Sequence, residues 1–230
     1  VVVASGFVDP SANSDGPGFG LFVALPAGGE LVELPQSTAR VQVIHNSADA
    51  AADSVDVYLN DDLLLDNFAF RNATSFIDAP ANTEISIDVA PKTSSSSGDG
   101  IYNLTTTLSA DEKYVLVASG IVSGSGYNPS TAFAIDVFAA GREEAASSAN
   151  TDLLVYHGST DAPTVDVYET SAGELVNDIA YSEFSADYLE LPTDDYYLQV
   201  RDQAGTTNLF AYDAPLKTLG LDSAAGVVVA

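Results

Sequence analysis

VQVIHNSADAAADSVDVY, residues 41–58, is answered later in the chain by LLVYHGSTDAPTVDVY, residues 153–168. Each copy opens on an alternating apolar run, then places a His, a Ser two residues on, and an Asp two residues after that. A short loop, two residues longer in the first copy, leads into a second apolar run, Val55-Asp56-Val57-Tyr58 or Val165-Asp166-Val167-Tyr168. His45 and His157 stand 112 residues apart. Self-similarity at a fixed spacing is the mark of a repeat, and here it means two units.

Reading outward, period-two alternation dominates. Val41-Val43 and Val55-Val57 predict strands with one packed face, Ile85-Ile87-Val89 alternates cleanly, and Tyr196-Leu198-Val200 and Asn208-Phe210-Tyr212 supply further strands. Asn60-Asp61-Asp62 is a turn signal, Ser109-Ala110-Asp111-Glu112 reads as a hairpin-like turn, and residues 91–100 as a polar, mobile loop. No stretch sustains a helical period. Residues 1–8 and 19–25 predict a buried strand and a second strand around a turn-rich loop. They also match a later stretch position by position: residues 1–8 match 115–122, and Phe19 to Val23 match Phe133 to Val137. Residues 1–38 therefore read as the C-terminal half of a module and 39–142 as a complete module. Residues 143–150 read as a linker or one helical turn, and 151–230 as the N-terminal half of a second module. Val1-Val2-Val3-Ala4 reappears as Val227-Val228-Val229-Ala230. The split module is thus completed by residues 1–38 of the same chain or of a neighbour, or the segment belongs to a longer array.

HGSTDAPTVDVY, from His157, resembles the signature of domain-of-unknown-function family 4397. The resemblance continues through Phe68-Ala69-Phe70 and Ile179-Ala180-Tyr181, through Tyr188-Leu189-Glu190-Leu191-Pro192, and through Phe133 to Phe138. The first unit departs from the pattern, with Ala51 and Ala52 where the second has Pro163, and Phe76 in place of Tyr188. The resemblance implies β-sandwich modules of secreted or surface proteins in bacteria and archaea, often in tandem, and brings no catalytic residues. The expected fold is all-β: two tandem immunoglobulin-like, Greek-key β-sandwich modules, one of them split between the chain termini.

Seven basic residues against 33 acidic ones give a net charge of −26 over 230 residues. Such a surface repels nucleic-acid phosphates and anionic lipid, so neither is an expected partner, and it attracts cations. The apolar runs are too short for a spanning helix, which needs about 20 residues, so no membrane insertion is expected. There is no cysteine, hence no disulfide and no thiolate chemistry. Methionine is absent, position 1 included, so the chain reads as a piece of a longer product.

Three groups of residues invite a chemical reading. His45, Ser47, Asp49 and Asp56, with His157, Ser159, Asp161 and Asp166, suggest a triad by content. A triad, however, needs the His between nucleophile and acid, which neighbours at one strand end seldom achieve. They read as structural loop residues that bond to nearby backbone. Asp9, Ser11, Asn13 and Asp15 put oxygens at alternate positions before Gly16 and form a candidate Ca²⁺ loop. Leu21 and Phe22 stand where that loop wants a bidentate acid. Asn72 and Asn103 fit the glycosylation acceptor pattern. The expected function is a non-enzymatic, structural or adhesive component of an extracellular filament or cell-surface array. Its partners would be copies of itself or adjoining repeats, met head to tail. The alternative is a secreted module that binds a carbohydrate or other ligand, such as a surface glycan.

Overall fold

The computed structural model describes residues 1–230. Strands supply every regular element longer than one turn, since the three helical elements are single 3₁₀ turns. The chain divides into Val1–Ser37 and Thr38–Ala230.

The first unit is a three-stranded antiparallel sheet of β1 (Val2–Ser5), β2 (Gly20–Val23) and β3 (Val32–Glu33), in that order. The strand predicted over residues 1–8 forms, but it is not buried: Val1, Val2, Phe7 and Val8 are exposed. A single small sheet has an apolar face and, within this unit, no second layer to cover it. The chain leaves β1 at Gly6 (φ +90°), where a Cβ would lie 1.9 Å from the Gly18 carbonyl oxygen. Only glycine permits both the backbone angle and the approach.

Within the second unit the first module comprises β4 (Thr38–His45), β5 (Ser54–Leu59), β6 (Asp62–Ala69), β7 (Ile77–Pro80), β8 (Glu84–Pro91), β9 (Tyr102–Thr107), β10 (Lys113–Ser119) and β11 (Ala134–Ala139). They form two four-stranded sheets, β11-β10-β4-β7 and β6-β5-β8-β9. β4 runs parallel to β10 and antiparallel to β7. The predicted alternation sets the core: Val41, Leu116 and Ala118 from one sheet meet Val55, Val57, Ile85, Ile87 and Val89 from the other. Asn60 and Asp61, both at positive φ, make the tight turn between β5 and β6 that their sequence signalled. Residues 109–112 do not make a hairpin. They carry the chain from β9 in one sheet to β10 in the other, and Leu108, fully buried, anchors the crossing.

The second module comprises β12 (Asn150–His157), β13 (Val165–Glu169), β14 (Gly173–Ile179), β15 (Glu183–Phe184), β16 (Leu189–Pro192), β17 (Asp195–Asp202), β18 (Asn208–Pro215) and β19 (Ala225–Val229). One sheet runs β14-β13-β17-β18. In the other, β12 carries β15 and β16 on one edge and β19 on the opposite edge. Parallel β12–β19 pairing puts Tyr156 beside Val229, as β4–β10 pairing puts Ile44 beside Val117. Residues 150–230 thus hold a counterpart for every strand of the first module except β11.

The two modules pack through the outward faces of β4, β10 and β12. Ile44, Val115, Val117, Leu154, Tyr156 and Tyr188 are buried together, with Phe76, Phe138 and Phe184 against them. The Tyr156 hydroxyl donates to Asp136 Oδ2 at 2.6 Å and lies 2.8 Å from Ser119 Oγ. Burial, with help from the Asp136 carboxylate, raises its pKa and keeps the phenol protonated. Residues 143–150 are no free tether. Glu143 pairs with Arg40 at 3.0 Å, and the Ala146 amide donates to buried Asp152. Arg142 reaches Asp152 Oδ2 at 2.6 Å and Glu190 Oε1 at 2.7 Å, and stacks over Tyr188.

Candidate functional site

Each HxSxD loop begins where its strand ends, and both imidazoles spend both nitrogens on backbone. His45 Nε2 lies 2.8 Å from the Ala52 carbonyl, and the Ser47 amide donates to Nδ1 at 3.3 Å. A carbonyl can only accept, so the ring is the neutral Nε2–H tautomer. His157 repeats the pattern with the Pro163 carbonyl at 3.0 Å and the Ser159 amide at 3.4 Å. Burial lowers the His45 pKa, opposed by the bond to Ala52. Neither ring has a nitrogen left to deprotonate a nucleophile or ligate a metal.

The acids do two different jobs. Asp56 Oδ1 accepts from the Asn67 amide at 2.9 Å, and Asp166 Oδ1 from the Asp178 amide at 2.7 Å. Asn67 and Asp178 are both at positive φ, beside the register shifts of β6 and β14, so this pair of acids fixes a bulge in each neighbouring strand. Asp49 instead reaches across the module. It accepts from the amides of Ala51, Val122 and Ser123 and the hydroxyls of Ser123 and Tyr127, at 2.6 to 3.0 Å. Burial pushes the carboxyl up, but these donors outweigh it and hold the pKa at about 2. Ser47 Oγ donates to the Gly120 carbonyl at 2.7 Å. The loop is therefore a socket for the segment that follows β10.

In the second module the same socket is open. Asp161 is exposed and accepts one long bond, from Ser159 Oγ at 3.3 Å. The inner face beside it is open too. Phe210 and Tyr212 lie on the same side as Val200 of β17, which packs half-buried against the core, yet are 60% and 57% exposed. Tyr102, in the register position of Phe210, packs edge-on against Phe133 with ring centroids 5.3 Å apart. Phe133 is 9% exposed, and its sequence counterpart Phe19 is 48% exposed. Fully burying a side chain of this size contributes roughly 1.5–3 kcal/mol. Sequence reading gave Asn208-Phe210-Tyr212 as a strand, and the strand forms. In the structure both rings are exposed.

The remaining candidates are dispersed. Asp9 Oδ1 accepts from Ser11 Oγ at 2.7 Å and the Ala12 amide at 3.0 Å, and Asn13 Nδ2 donates to the Asp9 carbonyl. The loop's groups thus bond one another, and Asp15 stands at positive φ. No group of three or more His, Cys, Asp or Glu residues is placed to share a metal ion. Asn72 is exposed beside His45, whereas the Asn103 amide is held by Ser86 and Asp88 at 2.7 Å. Arg142 and Asp152, absent from the sequence reading, prove central to the junction. Their signal, Arg142 as one of only seven basic residues in a strongly acidic chain, was available. No helix is long and apolar enough to cross a membrane.

Fold and loops together define a tandem β-sandwich protein built from one repeated module. The chain belongs to the family described as Domain of unknown function (DUF4397), which it matches over residues 33–149 and 151–220. No curated protein matches it. Among solved structures, a streptococcal virulence factor described as binding alpha-glucan is 8% identical, over 83% of this chain and 93% of its own, with a TM-score of 0.26. Family 41 carbohydrate-binding modules from streptococcal virulence factors are 9% identical over the same shares, also at 0.26. The Bacillus anthracis TIE protein is 7% identical over 92% of this chain and 41% of its own, at 0.24. Likeness this slight says nothing about what the present chain binds.

Proposed function

We propose that this chain is a non-enzymatic structural or adhesive component of an extracellular or cell-surface array. Its modules meet further copies or adjoining repeats head to tail. One observation carries the reading: the two modules share a buried apolar junction edged by Arg142, Asp152 and Glu190. Repeats joined this way stack as a stiff body instead of hanging on a flexible tether. The high negative charge fits an exposed surface that stays soluble between specific contacts. Within this reading the modules are immunoglobulin-like Greek keys, supported by a first strand running parallel to a late one in its own sheet. Electron microscopy of the native surface material and of purified protein tests the proposal. Threads with regularly spaced modules are expected. Single particles at every concentration, with a monomer mass in light scattering, would overturn it.

A second reading has its own observation. On the outward face of β17 and β18, Tyr197 is 43% exposed between the carboxylates of Asp195 and Asp213. An aromatic ring flanked by acceptors suits stacking on a sugar and bonding to its hydroxyls. Calorimetric titration with neutral oligosaccharides should then show binding that Tyr197→Ala weakens about tenfold, or roughly 1.4 kcal/mol. No heat with the native chain dismisses it.

A further inference from the structure

The junction between the two modules brings the same surface of each together. We propose that this face is a dedicated pairing surface whose partner is the equivalent face of the adjoining module in the same chain. The pair so formed is closed, and the pair, not the single module, is what repeats in an array. The inference rests on the array reading above and names its repeating unit.

Strand pairing fixes which positions correspond. Val117 lies beside Ile44 and Val229 beside Tyr156, while Asp78 faces Arg40 and Glu190 faces Asp152. Ile44 therefore corresponds to Tyr156, Val115 to Val227 and Phe76 to Tyr188, and all six lie in the one apolar cluster of the junction. At the C-terminal end of the two strands, Asn46 meets its own counterpart, Gly158: a Cβ on Gly158 would lie 2.1 Å from Asn46 Nδ2. At the N-terminal end, the connector clasps another corresponding pair. Arg142 bonds Asp152 at 2.6 Å, and Glu143 bonds Arg40 at 3.0 Å. Counterparts held together at both ends of β4 and β12 place a pseudo-twofold axis along the strands, between them. Surfaces paired in this way are isologous, and an isologous contact closes where a head-to-tail contact would propagate.

The polar groups make the pairing selective. Asp136 Oδ2 of the first module accepts from the Tyr156 and Ser182 hydroxyls of the second at 2.6 and 2.7 Å, which fixes how the faces lie on one another. Phe138 packs against Phe184 and Tyr188, with ring centroids 5.4 and 6.0 Å apart. The corresponding positions 40 and 152 carry opposite charges, and the Arg142-Glu143 connector is complementary to both. Two first-module faces would bring two arginines to that end of the junction, and two second-module faces would bring two buried acids. Like charges set together discriminate against those pairings. The connector also holds the right partner at a high effective concentration, which favours it over a copy in solution.

The chain has no native cysteine, which makes engineered thiols unambiguous. Asp136→Cys with Ser182→Cys in one chain, treated with a short bis-maleimide, should link internally and keep the mass of a monomer under denaturing conditions. Asp136→Cys and Ser182→Cys chains, prepared separately and mixed, should give no covalent dimer. A mixed dimer would mean that the faces exchange between chains, and it overturns the closed pair. In threads of native surface material, the spacing between modules should alternate between two values, one within pairs and one between them. Uniform spacing overturns the pair as the repeating unit. Internally linked chains should assemble as native chains do, and loss of assembly on linking would also overturn it. An internal link in chains that never assemble supports the closed pair and sinks the array reading alone.

Discussion

Asp49 and Asp161 occupy the same place in the same motif, and their surroundings could hardly differ more. Asp49 is sealed beneath residues 122–127 and takes five hydrogen bonds, whereas Asp161 stands in solvent with one long contact. Phe133 and Phe210 tell the same story in apolar terms, one packed and one exposed. The difference lies in one strand and the segment before it, not in the loop sequence. The same motif is buried and fully bonded in one module and exposed in its neighbour.

The largest expected effect lies at the junction the modules share. Asp152 is fully buried, and Arg142 is the only side chain paired with it. Arg142→Ala strands a buried charge and should cost about 3–5 kcal/mol in urea unfolding. If the two modules form one cooperative body, tyrosines in both should report a single earlier transition. Separate transitions, with one unmoved, would break the comparison by making the modules independent.

Next come the two aspartates themselves. Asp49→Ala removes the acceptor for three buried amides and two hydroxyls and should cost about 1–3 kcal/mol. Asp161→Ala should stay within about 0.5 kcal/mol in the monomer, as ordinary surface changes do. Equal losses would mean that the second socket is already filled in solution.

The acid response sharpens the picture further. The folded-state pKa of His45 is depressed by burial, so the native ring resists a proton that the unfolded chain accepts near pH 6.5. Stability is therefore full above that pH and falls as pH drops from about 6.5 toward the folded value. His45→Gln should flatten this slope in melts between pH 7 and 5. The depressed Asp49 carboxyl contributes further stability, present above about pH 4 and lost as pH falls toward 2. Asp49→Asn should erase that contribution.

Ionic effects should be the smallest. Screening of a net charge of −26 raises the melting midpoint with sodium chloride. A calcium shift larger than magnesium or sodium gives at equal ionic strength would assign a site to Asp9 and Asp15. Equal shifts would leave that loop as plain surface.

The sequence by itself determined the all-β character, because period-two runs such as Val41-Val43 and Ile85-Ile87-Val89 can bury one face only as strands. It also determined the repeat, since two copies of one loop sequence make the same local bonds, His to backbone and Asp to bulge, wherever they occur. The tertiary structure alone decided which copy is buried. Burial of Asp49 depends on residues about 70 positions downstream, and packing of Tyr102 depends on a strand in the opposite sheet. Likewise, period-two reading gives Leu154 and Tyr156 the solvent face of β12. They are buried because a second sheet, from the other module, lies against them. Alternation fixes which side chains share a face, but what covers that face is a matter of long-range contact.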